Sequence, residues 1–564
     1  MERAQVHYEL FFRGAAPGWK LELATEDRTR AMETAEAMIA DGRASAIRVT
    51  KETLDEETRE FKTVTILTKG DATEVKAKKV AETYDPLCVS PQDLYTSHAR
   101  ERIGRLLDDW LLRHRATPFE LLHRPDLIEK LEAAGMDLQH AIQKISIPEA
   151  QDRNVGTHEV IRHYQGLCDA ACQRVGKDHR RGAFPEVTTQ TFARVCEKLL
   201  PEPEKAYLLG AGVAMSIAAA QTWNDKVARL LDLADAAPTS PPARALAFQV
   251  LETILAEILG SRGGLGELLG ADLDLGGNLA AMTRLAACET VDLLISREAG
   301  VAKIMPELKG PAARLANWLD GSQFEVVRAA LAQRVLRELT SPRRLRPTDP
   351  EGEIDVLRAL AMCLTAAAGK LLPLDQVQEA FVDRSRMLVR SDFVEVYLGE
   401  DRTPLGEVEA LTWLAENITG AANKRAASRW IGANVSALRF ERDVRASPDS
   451  PATKLAALAG LQRSVSRVGF IAEEVTPLLA TLGDVGGMVE ADSKLVQMVA
   501  KANAPASHRL TLLLRLAAGE TAPLGPAADR ARAEVMRMVK APEIRAEIAK
   551  SPDILEKVRG LMAA

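Results

Sequence analysis

Apolar and polar positions alternate with a period of two along the first seventy residues, and recur every three to four residues beyond residue 90. Val6, Tyr8, Leu10 and Phe12 interleave with His7, Glu9, Phe11 and Arg13, and Trp19, Leu21 and Leu23 with Lys20, Glu22 and Ala24. Two strands are predicted, joined by a turn over residues 14–18. Residues 29–41 carry Met32, Ala35 and Ile39 at helical spacing, with Gly42 at the place of a C-terminal cap. Residues 45–50 and 61–68 read as two further strands around an acidic turn at 55–58. The prediction is a small ββαββ domain over residues 1–70. Its one helix covers one sheet face, which leaves a face or an edge for a cover or a partner strand. Residues 71–92, with Lys76, Lys78 and Lys79, form a charged linker.

Beyond it the pattern is helical. Ser90 before Pro91 is a helix start, because proline lacks an amide hydrogen and a serine can cap the turn it opens. Ile103, Leu106, Leu107, Trp110 and Leu111 make the first amphipathic stripe, in a helical cap over 93–124. Leu127, Leu131, Leu138, Ile142 and Ile145 continue it.

A recurring signature then organises the chain. A Gly-x-Ala opening and a Ser-Pro close run from Gly212 to Pro241, Gly310 to Pro342, Gly420 to Pro448 and Gly525 to Pro552. The prolines are spaced by 101, 106 and 104 residues. Trp110, Trp223, Trp318 and Trp430 keep roughly the same phase, with Met536 in the last slot, as do Asp274, Asp383 and Asp484. Ser450-Pro451 stands outside that phase. The expected units are 125–240, 241–341, 342–447 and 448–564, each a bundle of about four or five helices. The fold class expected is mainly α: a small N-terminal α+β domain followed by tandem repeats of about 105 residues.

Composition narrows the function. In 564 residues, 46% are hydrophobic and 27% charged, as in a folded protein, but only 4% are aromatic, so Ala, Leu and Val must fill the interior and helices pack closely. A net charge of −6 leaves no broad basic face for nucleic acid. No apolar run reaches the ~20 residues of a membrane helix, so no membrane insertion is expected. Six irregularly spaced cysteines and a start without a basic-then-apolar leader point to a reducing, cytoplasmic setting.

The best chemical candidate is Cys168, Cys172 and His179, which fall within ~40° of one another on an uninterrupted helix and are the residue types that ligate zinc. Gly176 stands between them, and the nearby His158 and His163 diverge. The alternative is that the thiols are small core residues and the histidines surface or capping groups. The Gly260–Gly266 stretch follows a helix rather than a buried strand, and reads as an interhelical turn. The three repeated aspartates suit caps or turns better than ligation. The run from Ser341 to Pro347 is basic but is followed at once by Asp349, Glu351, Glu353 and Asp355. No catalytic or cofactor motif appears. Two functions are therefore expected in competition. One is a non-enzymatic scaffold or adaptor for protein partners, with self-association open to it. The other is a sensor or enzyme with a metal or small-molecule site near Cys168 and Cys172.

Overall fold

The computed structural model describes residues 6–13, 20–25, 27–41, 44, 46–54, 61–70, 87–270, 272–548 and 552–563. The chain divides into two compact units, 1–87 and 88–564. The turns expected at 14–18 and 55–58, Gly42, Trp19 and most of the linker lie outside the described residues.

In the first unit the period-two segments are strands: β1 (Val6–Arg13), β2 (Lys20–Thr25), β3 (Ala46–Leu54) and β4 (Phe61–Gly70). They form one antiparallel sheet in the order β2-β1-β3-β4. The single helix, Arg28–Ala40, starts where the Asp27 carboxylate accepts the amides of Thr29 and Arg30. It buries Ala31, Ala35 and Met38 against Leu10, Ile47 and Val49. The ββαββ expectation holds.

The second unit is helical throughout, so the molecule is mainly α with a small α+β domain at its amino end. Among the described residues, no helix is long and apolar enough to cross a membrane. Its carboxyl-terminal part is a succession of antiparallel helix pairs. The first helices of the pairs begin at Pro350, Pro404, Pro451 and Ala506, spaced by 54, 47 and 55 residues. Their partners begin at Leu374, Ala421, Ala472 and Pro526, spaced by 47, 51 and 54. Each pair packs on itself, and each second helix packs on the next second helix.

Two local devices set this ladder. Pro350, Pro404 and Pro451 occupy the first helical position, where a missing amide costs nothing, and Asp349, Thr403 and Ser450 cap the turn by accepting the amides of Gly352, Gly406 and Thr453. The helices starting at Pro311, Ala421 and Pro526 follow Gly310, Gly420 and Gly525, whose φ values of 53°, 93° and 135° suit glycine.

The sequence marks do not all fall on equivalent places. Gly212 lies inside the Lys205–Ser216 helix. Pro241 and Pro552 open helices, but Pro342 and Pro448 lie in turns ahead of the helices at Pro350 and Pro451. Ser450-Pro451, out of phase in the sequence, is thus the true helix start. Trp110 and Trp223 are buried, whereas Trp318 and Trp430 are only partly so. Asp274 caps the Leu275–Ala286 helix through the Gly277 amide at 2.7 Å, while Asp383 and Asp484 sit inside helices. One contiguous apolar core runs from Phe119 to Val558 and crosses every expected unit boundary beyond it.

Candidate functional site

Cys168, Cys172 and His179 all lie on the Thr157–Arg180 helix, which continues through Gly176. Cys168 and Cys172 turn inward beside Ala171 and Val175. Burial raises their thiols, to about 11 and about 12 respectively, so both are thiols rather than thiolates at neutral pH. His179 is exposed, its ring 6.2 Å from Phe184. His163 donates to the Cys88 carbonyl at 2.9 Å. Among the described residues, no three His, Cys, Asp or Glu side chains gather as a metal site would require. The helix brings the candidates to one element, not to one point.

The same thiols border a feature that the one-dimensional pattern did not disclose. A cavity of about 110 Å³ lies among the Ser97–Leu106, Pro125–Ala134, Met136–Arg153 and Thr157–Arg180 helices. Leu106, Leu122, Leu138, Ile142, Cys168 and Cys172 contribute to a wall of hydrocarbon and sulfur. Arg102 and Tyr164 also reach the wall, and the Tyr164 hydroxyl is turned to Glu149 Oε2 at 2.6 Å. Left empty, a void of this size costs about 3 kcal/mol at ~24 cal/mol per Å³.

Beside it stands an aromatic cluster already filled from within. The Arg174 guanidinium lies 3.9 Å from the Tyr207 ring centroid and 5.6 Å from that of Tyr95, and pairs with Glu204 at 2.6 Å. His123 stacks on Phe119 at 4.1 Å and donates from Nδ1 to the Phe119 carbonyl at 2.7 Å. Burial holds the His123 imidazole down to about 3, against its ordinary 6.5. The folded chain thus keeps this ring neutral, while the unfolded chain protonates it below 6.5. Its contribution to stability is complete above that pH and declines as pH falls towards 3. Between pH 7 and pH 4.5 the native protein should lose about 2–3 kcal/mol more than a His123→Phe variant, read from urea unfolding at the two pH values.

The basic loop at 341–347 is held by its own neighbours. Leu345 is buried, Arg343 pairs with Glu338, Arg346 with Asp349, and Arg344 lies over Phe393. The buried Arg384 donates to the carbonyls of Ser341 and Arg343 and to Glu353 at 2.9 Å. In the Gly260–Gly266 stretch, Ser261 caps the Arg262–Leu269 helix by accepting the Gly264 amide.

A second surface feature lies between the Pro404–Asn417 and Pro451–Arg467 helices. Glu409, Trp413 and Glu416 line one wall of a groove of about 310 Å³, and Ala457, Gly460 and Ser464 the other. Trp413 is 37% exposed. Arg358 places its guanidinium 5.3 Å from that ring centroid. Trp413 is outside the tryptophan phase. Its flanking carboxylates, four residues before and three after, put all three on one helix face and were the available signal.

Helix pairs, an apolar cavity and an acidic groove are the features that the described residues of this helical protein assemble. No family model, curated protein or solved structure matches the chain.

Proposed function

We propose that this chain is a non-enzymatic helical-repeat scaffold or adaptor for protein partners, docking a basic segment in the groove between the Pro404 and Pro451 helices. The observation that carries the reading is the exposed Trp413 between Glu409 and Glu416. An exposed indole is a frequent centre of binding energy, and cations favour its face. The ring already accepts a guanidinium from Arg358, so an arginine of a partner meets the same chemistry with two carboxylates beside it. Small residues on the facing helix leave room for a backbone.

The repeat fits this role. The sequence period of about 105 residues is read here as two helix pairs, since Pro350 to Pro451 spans 101 residues and Pro404 to Ala506 spans 102. Stacked pairs give a row of grooves of similar build, and divergence of individual side chains makes one of them specific. The six cysteines are free thiols, which supports a reducing, cytoplasmic setting.

The test is crosslinking from a photoreactive residue placed at Ser464 in the full chain. A partner is expected at wild-type Trp413 and at least tenfold less of it with Trp413→Ala or Glu416→Lys, at unchanged melting temperature. An identical crosslinked set in all three proteins would overturn the reading.

A further inference from the structure

We infer that the cavity beside Cys168 and Cys172 is a binding site for a small neutral apolar ligand, of the size of one ring or a short branched alkyl group. The inference is independent of the docking groove, which lies on other helices.

Three observations converge on it. The first is how the core is divided. Elsewhere in the second unit the buried side chains merge into one contiguous core, yet here they fall into three separate clusters. Ile142 and Ala171 belong to one, Leu107 and Ala141 to another, Ile128 and Val175 to the third, and all six line the cavity. The space is where three cores would otherwise join. Protein interiors close such gaps to near crystal density, so a void among so many flexible aliphatic side chains calls for an occupant.

The second is the chemistry of the wall. A buried water needs two to four polar partners, and hydrocarbon and thiol supply none of them adequately. Two polar residues also line the cavity: Arg102, which is not without a partner, and Tyr164, whose hydroxyl is committed to Glu149. The occupant therefore carries no charge and no strong hydrogen-bonding group inside the cavity. Its volume follows from the space: about 110 Å³ is somewhat below the ~150 Å³ apolar cavity known to take benzene.

The third is access. Ile103, Leu106, Leu138 and Ile145 line the cavity and are only half-buried, so it approaches the surface between the Ser97 and Met136 helices. A rotamer change at these two leucines and two isoleucines is a smaller event than unfolding a core.

Toluene is the probe, added to the full-length protein labelled at isoleucine δ1 methyls. Saturable shifts are expected at Ile103, Ile128, Ile142 and Ile145, which line the cavity, with none at Ile254, which lies in the contiguous core. Ala141→Leu fills the space and should abolish the shifts while keeping or raising the melting temperature. Ala171→Leu fills it from the facing helix and serves the same purpose if the first variant fails to fold. Absence of shifts up to the solubility of toluene, in a native protein, overturns the site and leaves a packing void. Shifts that persist in a folded filled variant overturn it equally, because the toluene would then be bound elsewhere.

Discussion

Glu120→Gln should lower the free energy of unfolding by about 3–5 kcal/mol, the usual effect of removing one partner from a buried ion pair. Glu120 is fully buried, and its carboxylate accepts from Lys226 Nζ at 2.6 and 2.8 Å, from Arg124 at 2.9 Å and from the Thr117 amide at 3.1 Å. Lys226 is 2% exposed and also donates to the Arg115 carbonyl. Burial pushes the Lys226 ammonium down, and the Glu120 charge is what offsets that. A glutamine has the shape but not the charge, and its amide would present two donors to two cations. Arg124 keeps Asp126 at 2.7 Å, so the stranded group is chiefly Lys226. Chemical denaturation should show the loss, and adding Lys226→Met to Glu120→Gln should recover part of it. If the single change costs less than about 1 kcal/mol, the pair is not the buried charge network described.

Gly483→Val is the other large expected effect, a loss of about 3 kcal/mol or more from overpacking against backbone. A Cβ at Gly483 would stand 2.4 Å from the Leu524 carbonyl oxygen. At Gly486 it would meet Pro523 at 2.3 Å, and at Gly487 Pro526 at 2.8 Å. The three glycines form one face of the Ala472–Ser493 helix, against which residues 523–526 run. Two prolines stiffen that segment, so it cannot easily move away. A glycine inside a helix ordinarily costs up to about 1 kcal/mol against alanine. Gly166→Ala, in open space on the Thr157 helix, should accordingly gain up to that amount, whereas Gly483→Ala should lose stability despite the better helix former. Melting temperatures of the three variants decide the matter, and a stable Gly483→Val would disprove the close approach.

Much of this architecture was legible in the residues. Alternation along Val6 to Phe12 fixes a strand because only one period places Leu10 and its neighbours on a single face. Capping chemistry announces helix starts locally, as Ser90-Pro91 does. The length of the unit was harder to see. Ser341-Pro342 and Ser447-Pro448 keep the phase of Pro241 and Pro552 without opening a helix as those do, because the caps that matter are Asp349 and Ser450 a few residues on. A serine, threonine or aspartate performs the same capping task, so the true mark varies in identity while a false one repeats. The thiols illustrate another limit. Cys168 and Cys172 stood out as chemistry-bearing residues, but their neighbours in the cavity come from five other stretches between residues 88 and 145, and periodicity does not encode which helices converge. Trp413, like Trp19, falls outside the shared tryptophan phase, so the repeat pattern gives it no mark.

The uneven intervals between helix starts, from 47 to 55 residues, have a consequence for how such a chain can change. The difference is shared between the paired helices, 14–17 and 15–22 residues long in the first three pairs, and the turns and short helices that join them, while each pair packs on the next. Insertions at those corners need not disturb the contacts that hold a rung in place. A lineage carrying this architecture is thus free to add, drop or restyle single rungs, and to alter what it grips at one place while the remainder stays as it was.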